Sequence, residues 1–259
     1  MPTLLDFAVQ TAREAGRILA ERFGRITEVS HKGEIDLVTE ADLASERFIV
    51  ERIKNHYPRH AIIAEESGRS DASERRSDYV WIVDPLDGTT NYAHGYPVFA
   101  VSIALEYRGE IVLGVVYDPM RDEMFAAERG AGATLNGRCI RVSDVEDLNK
   151  AMLCTGFPYD VRERGEFARH FRNFIMAAQA VRRDGSAALD LAYVACGRFD
   201  GFWEEGLNPW DVAAGALLVE EAGGRVTDYE GHSFSIYRAP VLASNGLIHE
   251  AMMRVLVAP

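Results

Sequence analysis

The sequence predicts an α+β chain whose second half turns to layered α/β packing. Three observations predict it. Apolar residues recur at helical spacing at the start, glycine-centred turns join β-type runs in the middle, and strand and helix patterns alternate after about residue 145. The boundary is soft, so the chain reads as one domain over 1–259 with halves 1–145 and 146–259.

The elements follow in order. Leu5, Ala8, Ala12, Ala15, Leu19 and Phe23 predict a first helix, stopped by Gly24. Thr39 and Asp42 have the spacing of a capping box and open a second helix, whose apolar stripe is Phe48, Ile49 and Ile53 and whose end is Pro58. Short apolar runs at 61–64 and 79–83 each end in acidic residues, as strands presenting carboxylates would. Residues 99–107 and 111–117 read as a hairpin around Arg108-Gly109-Glu110, and Asn136-Gly137 marks a second hairpin turn. This half is therefore expected to pair antiparallel. Beyond it lie a strand at 151–155, a helix over about 162–180, a helix after Gly185, a strand at 201–204, a helix from Trp210, a strand at 240–243 and a closing helix.

Composition narrows the function. A chain of 259 residues with 47% hydrophobic residues is long enough for a sizeable core. A net charge of −12 argues against a nucleic-acid partner, which rewards a basic surface. It does not argue against an anionic substrate, because a metal inverts the local charge of a carboxylate site. Cys139, Cys154 and Cys196 are odd in number and lack metal spacing, so free thiols in a reducing, cytoplasmic setting are expected. No secretory pattern and no run of 18 apolar residues is present, so no membrane association is expected.

Four segments carry chemistry. In Asp84-Pro85-Leu86-Asp87-Gly88-Thr89-Thr90, an apolar strand runs into two carboxylates. Gly88 then lets the backbone turn, and Thr89 and Thr90 open a helix whose N–H groups suit a phosphate. Asp84 and Asp87 are hard oxygen ligands suited to Mg²⁺. Acids beside an anion site make sense if a cation lies between them. The plain alternative is a capped turn. Another is the DxDGT motif of haloacid-dehalogenase-type phosphatases, but here two residues, not one, separate the aspartates. The other segments are Glu65-Glu66-Ser67, Trp210-Asp211-Val212-Ala213-Ala214-Gly215, and the stretch from Lys32 through Asp36 to Asp42. Taken singly, they also read as a solvated loop, a dipole-complementing acid and an ordinary cap.

Together the segments resemble the inositol monophosphatase family of lithium-sensitive, metal-dependent phosphatases. Residues 84–89 fit its D-P-[IL]-D-G-[ST] motif and residues 210–215 its W-D-x-A-x-G motif, in the right order and about 120 residues apart. The resemblance implies an αβαβα sandwich of the inositol monophosphatase and fructose-1,6-bisphosphatase type, a homodimer, and two or three Mg²⁺ ions. It implies one ion on Glu65, Asp84 and the Leu86 carbonyl, a second on Asp84, Asp87 and Asp211, and a weaker third near Glu65. The phosphate would lie over Gly88 and Thr89. Gly185, Ser186 and Ala187 would line the sugar side, and Glu204 would contact polyol hydroxyls. Lys32 matches a basic residue near the site.

The implied chemistry is hydrolysis of a small phosphate monoester, myo-inositol monophosphate first. Histidinol phosphate, fructose 1,6-bisphosphate and 3′-phosphoadenosine 5′-phosphate are alternatives, and a binding role in a larger assembly is a different class. Elementary electrostatics agrees with a metal site: two like charges 4 Å apart cost about 4 kcal/mol at an effective dielectric of 20. Water attacks directly in this reading, with Thr89, linked to Asp42, accepting its proton. Of the seven histidines, His94 alone lies near the phosphate loop, and a surface role is the expectation for it.

Overall fold

A computed structural model describes residues 3–25, 29–31, 37–69, 77–157, 166–238 and 240–258. Helix α1 (Leu4–Arg22) starts at Thr3, whose hydroxyl accepts from the Asp6 N–H while the Asp6 carboxylate accepts from the Thr3 N–H. Strands β1 (Val29–His31) and β2 (Leu37–Thr39) form a small antiparallel ribbon. Helix α2 (Glu40–His56) begins at the predicted Thr39–Asp42 capping box. Both helices bury their apolar stripes, including Ala12, Leu19, Ile49 and Ile53, against one face of the first sheet.

That sheet contains β3 (Ala61–Ala64), β4 (Gly68–Arg69), β5 (Tyr79–Asp87), β6 (Ala100–Tyr107), β7 (Glu110–Asp118), β8 (Glu123–Glu128), β9 (Gly132–Leu135) and β10 (Arg138–Cys139). Its order is β10-β9-β8-β7-β6-β5-β3-β4. The two predicted hairpin turns are present. Arg108 and Gly109 have φ of 51° and 87°, and Asn136 and Gly137 of 50° and 75°, the left-handed pair that a two-residue hairpin needs. One expectation fails: β3 and β5 run parallel, not antiparallel. Residues 65–78 between them are long enough for the crossover that parallel pairing requires.

The second half contains β11 (Met152–Thr155), α4 (Glu166–Ala177), β12 (Ala180–Arg182), α5 (Ala187–Ala195), β13 (Gly201–Glu204), α6 (Pro209–Glu221), β14 (Arg225–Thr227), β15 (Val241–Ser244) and α7 (His249–Val257). The five-stranded sheet has the order β12-β11-β13-β15-β14, with β11 parallel to both β12 and β13. The helix expected over 162–180 is shorter at its end, because Ala180–Arg182 leaves it to pair with β11.

Helices α5 and α6 lie between the two sheets, and α4 and α7 cover the far face of the second. The layers are therefore αβαβα. Small residues set the spacing of the middle layer. A Cβ on Gly215 would lie 2.5 Å from the Cβ of Leu191, so α5 and α6 can approach only at glycine. Trp203, equally readable as pocket wall or core, is core and stacks on Phe174 at 3.9 Å.

Candidate active site

The acids converge because of an irregularity in β5. Asp84 pairs with Ser102 and Asp87 with Ala100, so β5 carries one extra residue between them. The strand does not stop at its acids, as the sequence suggested; it bulges through Pro85 and Leu86 and ends at Asp87. The Leu86 N–H returns to Asp84 Oδ1 at 3.0 Å, and the Ser45 hydroxyl holds the Pro85 carbonyl at 2.9 Å. Gly88 follows with φ of 96°; a Cβ there would lie 2.9 Å from the Val98 carbonyl oxygen.

The helix predicted at Thr89 is only five residues long, α3 (Thr89–Ala93). A macrodipole so short contributes little. Local N–H groups at this turn, rather than a long helix, are what it offers an anion.

Asp211 comes from the first turn of α6, where its Oδ2 accepts the Asn208 N–H at 2.7 Å. Ligand atoms of Asp84, Asp87 and Asp211 lie within 4.8 Å of one another. Glu65 is anchored beside them, its N–H donating to the Val83 carbonyl at 3.2 Å. Burial, then Glu65, Asp87 and Asp211 in turn, pushes the Asp84 carboxyl well above the carboxylate range. Burial and Asp87 do the same to Asp211. Burial raises Asp87 to about 6 against the opposing bonds from the Ser186 hydroxyl and the Ala188 N–H, at 2.5 and 2.8 Å. Such a cluster of hard oxygen donors, poorly tolerated as bare anions, fits a divalent cation.

Glu65, Asp84, Leu86, Asp87, Gly88, Thr89, Glu204 and Asp211 line one pocket of about 220 Å³. An adjoining lobe of about 80 Å³ shares Asp87, Gly88, Glu204 and Asp211 and adds Gly185, Ser186 and Ala187. Asp42 lies beneath, fully buried. Its Oδ2 accepts the Thr39 N–H at 2.9 Å, and its Oδ1 faces the Thr89 hydroxyl at 2.9 Å, with the Leu86 carbonyl 3.0 Å from the same hydroxyl. Burial raises its pKa despite these bonds. The expected metal ligands and substrate contacts thus meet around two connected lobes, with Asp42 beneath them, while Lys32 and Asp36 lie outside the described residues.

Glu204 ends β13 against the backbone of β11's exit. A Cβ on Gly156 would lie 2.1 Å from Glu204 Oε1, so glycine there makes room for the carboxylate. Burial, then the charge of Asp211, pushes the Glu204 carboxyl well above its usual range. His94 is exposed at the end of α3 and lines neither lobe.

Sequence reasoning missed several supports. Asn91 Nδ2 bonds the carbonyls of Val98 and Asp184 at 2.8 and 2.7 Å, tying the phosphate turn to the Gly185 loop. Ser186, expected to line the sugar side, also holds Asp87 and caps α5. Phe157 and Arg183 border the second lobe, with the Arg183 guanidinium 5.3 Å over the Phe157 ring. In sequence, Arg182-Arg183 reads most plainly as a salt bridge to an acidic neighbour, but among the described residues neither makes one: the Arg182 guanidinium bonds the Val181 carbonyl and that of Arg183 lies over Phe157. Only adjacency to Gly185 in sequence hinted at Arg183.

No helix among the described residues is long and apolar enough to cross a membrane. The three cysteines are free thiols.

Comparison with known proteins places this geometry. A model of the inositol monophosphatase family matches residues 1–258. The chain is 45% identical over 260 residues to an inositol-1-monophosphatase of Synechocystis sp., covering all of this chain and 90% of that one. It is 44% identical over 261 residues to Nus factor SuhB of Pseudomonas aeruginosa, covering 99% and 96%. The solved structure of an inositol monophosphatase from Anabaena (Nostoc) sp. superposes with a TM-score of 0.88 at 48% identity, covering 97% of this chain and 94% of that one. The fold, the clustered acids and these likenesses agree, and the chain belongs to the inositol monophosphatase family of metal-dependent phosphatases.

Proposed function

We propose that this phosphatase hydrolyses the monoester of a small polyol, myo-inositol monophosphate first, with two or three Mg²⁺ ions and direct attack by water. The observation that carries the reading is the meeting of Asp84, Asp87 and Asp211 with the Thr89–Asp42 pair on one side and Glu204 on the other. Glu65, Asp84, the Leu86 carbonyl, Asp87 and Asp211 would hold the ions. When bound, the ions supply positive charge opposite the transferring phosphoryl group and acidify water. Thr89 takes the proton of the attacking water on Oγ1 and passes its own to Asp42 Oδ1. Gly88 and Thr89 present N–H groups to the phosphate oxygens. No protein nucleophile is required, so acid quench and mass spectrometry should find no phosphorylated Asp84. A phosphoenzyme that turns over competently would overturn direct attack.

Glu204 supports the choice of a polyol over the bisphosphate alternatives. A carboxylate accepts hydroxyl donors and repels a second phosphate. Removing one charge-assisted bond costs about 1.5–3 kcal/mol. Glu204→Gln should therefore lower kcat/KM for inositol 1-phosphate about tenfold or more, and leave an aryl phosphate much less affected. Equal losses on both substrates would place its action on the cluster or the fold. A phosphate-release screen over phosphomonoesters, with Mg²⁺ and with chelator, would separate the histidinol, fructose and nucleotide alternatives. The homodimer and the cytoplasmic setting belong to this reading on the family resemblance.

A second reading, as a component of a larger assembly, is favoured by the name Nus factor carried by the Pseudomonas relative. A catalytically dead Asp84→Asn chain that fully replaces the wild type in the cell would support it.

A further inference from the structure

One acid beside the aspartate cluster has no part in the chemistry above. Asp190 stands in the first turns of α5, 1% exposed, and lines the second lobe with Gly156, Arg183, Ser186 and Glu204. Neither of its carboxyl oxygens has a hydrogen-bond partner among the described residues. The site's other aspartates differ: Asp42, Asp84, Asp87 and Asp211 each accept at least one backbone N–H.

A buried acceptor without a donor costs about 1–3 kcal/mol. Such a group in a folded protein calls for an explanation, and a ligand donor is one. Among the described residues, none places a hydrogen-bond donor on the Asp190 carboxyl oxygens. Ala187, Leu189 and Leu191 flank it on α5 with apolar side chains. The buried Cys154 thiol, a single weak donor, lies 3.6 Å from the Gly201 carbonyl and 3.9 Å from the Asp190 backbone carbonyl, and one such S–H cannot serve both carboxyl oxygens. Glu204, Asp184 and Asp87 bear on it with the same sign of charge. Arg183 is the cation acting on it, and its guanidinium is exposed over the Phe157 ring. The donor then comes from whatever fills the lobe. At about 80 Å³ the lobe exceeds the roughly 10–15 Å³ that one water needs, so it has room for part of a hydroxylated leaving group.

We infer that Asp190 and Glu204 form a two-carboxyl floor that receives two separate donors of the leaving group, making Asp190 a specificity-determining residue for polyhydroxylated esters. The inference rests on the polyol phosphatase reading. The topology suits it: the floor lies where parallel strands β11 and β13 end against the start of α5, the usual place for a ligand in such a sheet. A leaving group with one hydroxyl would satisfy one acid and leave the other bare. One with a second anionic group would meet two carboxyls.

The test compares the wild type, Asp190→Asn and Asp190→Ala. Readouts are kcat/KM for inositol 1-phosphate and for 4-nitrophenyl phosphate, the inhibition constant of inorganic phosphate, and circular dichroism. Both variants should lose about tenfold on the inositol ester. The aryl ester and inorganic phosphate should be unchanged, since neither offers a hydroxyl to the second lobe. A deoxy-inositol phosphate lacking the hydroxyl received by Asp190 should lose about tenfold with the wild type and nothing further with the variants. Equal losses on both esters, no loss on either, or failure of both variants to fold would each overturn the role. A wild type that hydrolyses the aryl ester but no polyol ester defeats the underlying reading. A polyol phosphatase indifferent to Asp190 defeats this inference alone.

Discussion

Thr89 and Asp42, 47 residues apart in the chain, face each other across a 2.9 Å hydrogen bond from a hydroxyl to a buried carboxylate. Asp42 is also the N3 acid of the α2 capping box, so the same residue that starts the helix orients the threonine. In the proposed mechanism this pair carries the water's proton. Thr89→Ala should then lower kcat by about 10²–10⁴, the usual range for a positioned proton acceptor, with KM little changed. Thr89→Ser restores the hydroxyl and should recover most of the loss. Steady-state kinetics on one phosphate ester at saturating Mg²⁺ reads the result. A Thr89→Ala enzyme with near wild-type kcat would remove Thr89 from the mechanism.

Asp84 sits in the combined field of Glu65, Asp87 and Asp211, and that predicts opposite effects with and without metal. In chelator, Asp84→Asn removes a charge from a repelling cluster, so its Tm should rise above that of the wild type. In excess Mg²⁺ the order should reverse. A ligand at a hundred times its Kd stabilises the native state by about 2.7 kcal/mol, and the variant forgoes much of this. Turnover should fall by more than about a hundredfold, the upper range for outer-shell partners of a metal. Thermal melts with Mg²⁺ and with chelator, beside activity, test both halves. Wild-type turnover by the variant at saturating Mg²⁺ would end the assignment.

Gly114 governs how closely α6, the helix bearing Asp211, approaches the first sheet. A Cβ at this position in β7 would lie 2.8 Å from both the Cα and the carbonyl oxygen of Ala214. Backbone cannot swing aside as a side-chain tip can. Gly114→Ala should cost about 1–3 kcal/mol, the usual range for overpacking. For a chain of this size that lowers Tm by about 2–4 °C per kcal/mol. Ala214 follows Asp211 by three residues, so the affinity for Mg²⁺ should fall as well. An unchanged Tm would mean that the strand and helix are further apart than described.

Much of the site was legible because its chemistry is written in consecutive residues. The run 84–89 places ligands, turn and helix start within a few positions, the run 210–215 places a ligand in a helix's first turn, and the hairpin turns declare themselves by a glycine between β-type runs, preceded in one case by an asparagine tolerant of positive φ. The joins between distant segments were not legible. Nothing local says that Ser186 will hold Asp87, 99 residues away, or that Asn91 will tie two loops together. Asp190 is hidden for another reason: it is one acid in a helix otherwise composed of Ala, Leu, Tyr and Val, where position alone decides its surroundings. Strands β10, β12 and β14, of two or three residues, are too short for any alternation to register. The parallel pairing of β3 with β5 depends on a crossover, and no periodicity reports it.

His249 gives a pH prediction far from the metal site. It opens α7, fully buried, with Ser244 Oγ 2.8 Å from Nδ1 and Thr227 Oγ1 2.8 Å from Nε2. The network assigns the tautomer. The Thr227 hydroxyl donates to the Asp228 carbonyl at 2.6 Å, so it receives the Nε2 proton. Ser244 already accepts the Gly246 N–H at 3.0 Å and donates its own proton to Nδ1. Nδ1 is therefore an acceptor, and a second ring proton would face a hydroxyl that is oriented to donate. Burial, with Arg225 nearby and Glu250 opposing, lowers the His249 pKa to about 4. The unfolded chain titrates near 6.5, so between these values it binds more protons than the folded chain. Stability from this residue is complete above about pH 6.5 and is lost as pH falls toward 4. From pH 7 to pH 5 the loss should be about 2 kcal/mol, at 1.36 kcal/mol per unit. His249→Gln cannot titrate and should lack that part of the dependence, even if it is less stable at pH 7. Urea unfolding of both proteins at pH 7 and pH 5 gives the difference of differences, in which the shared carboxylates cancel. Identical pH dependence in the two proteins would show that His249 gains its proton as easily folded as unfolded.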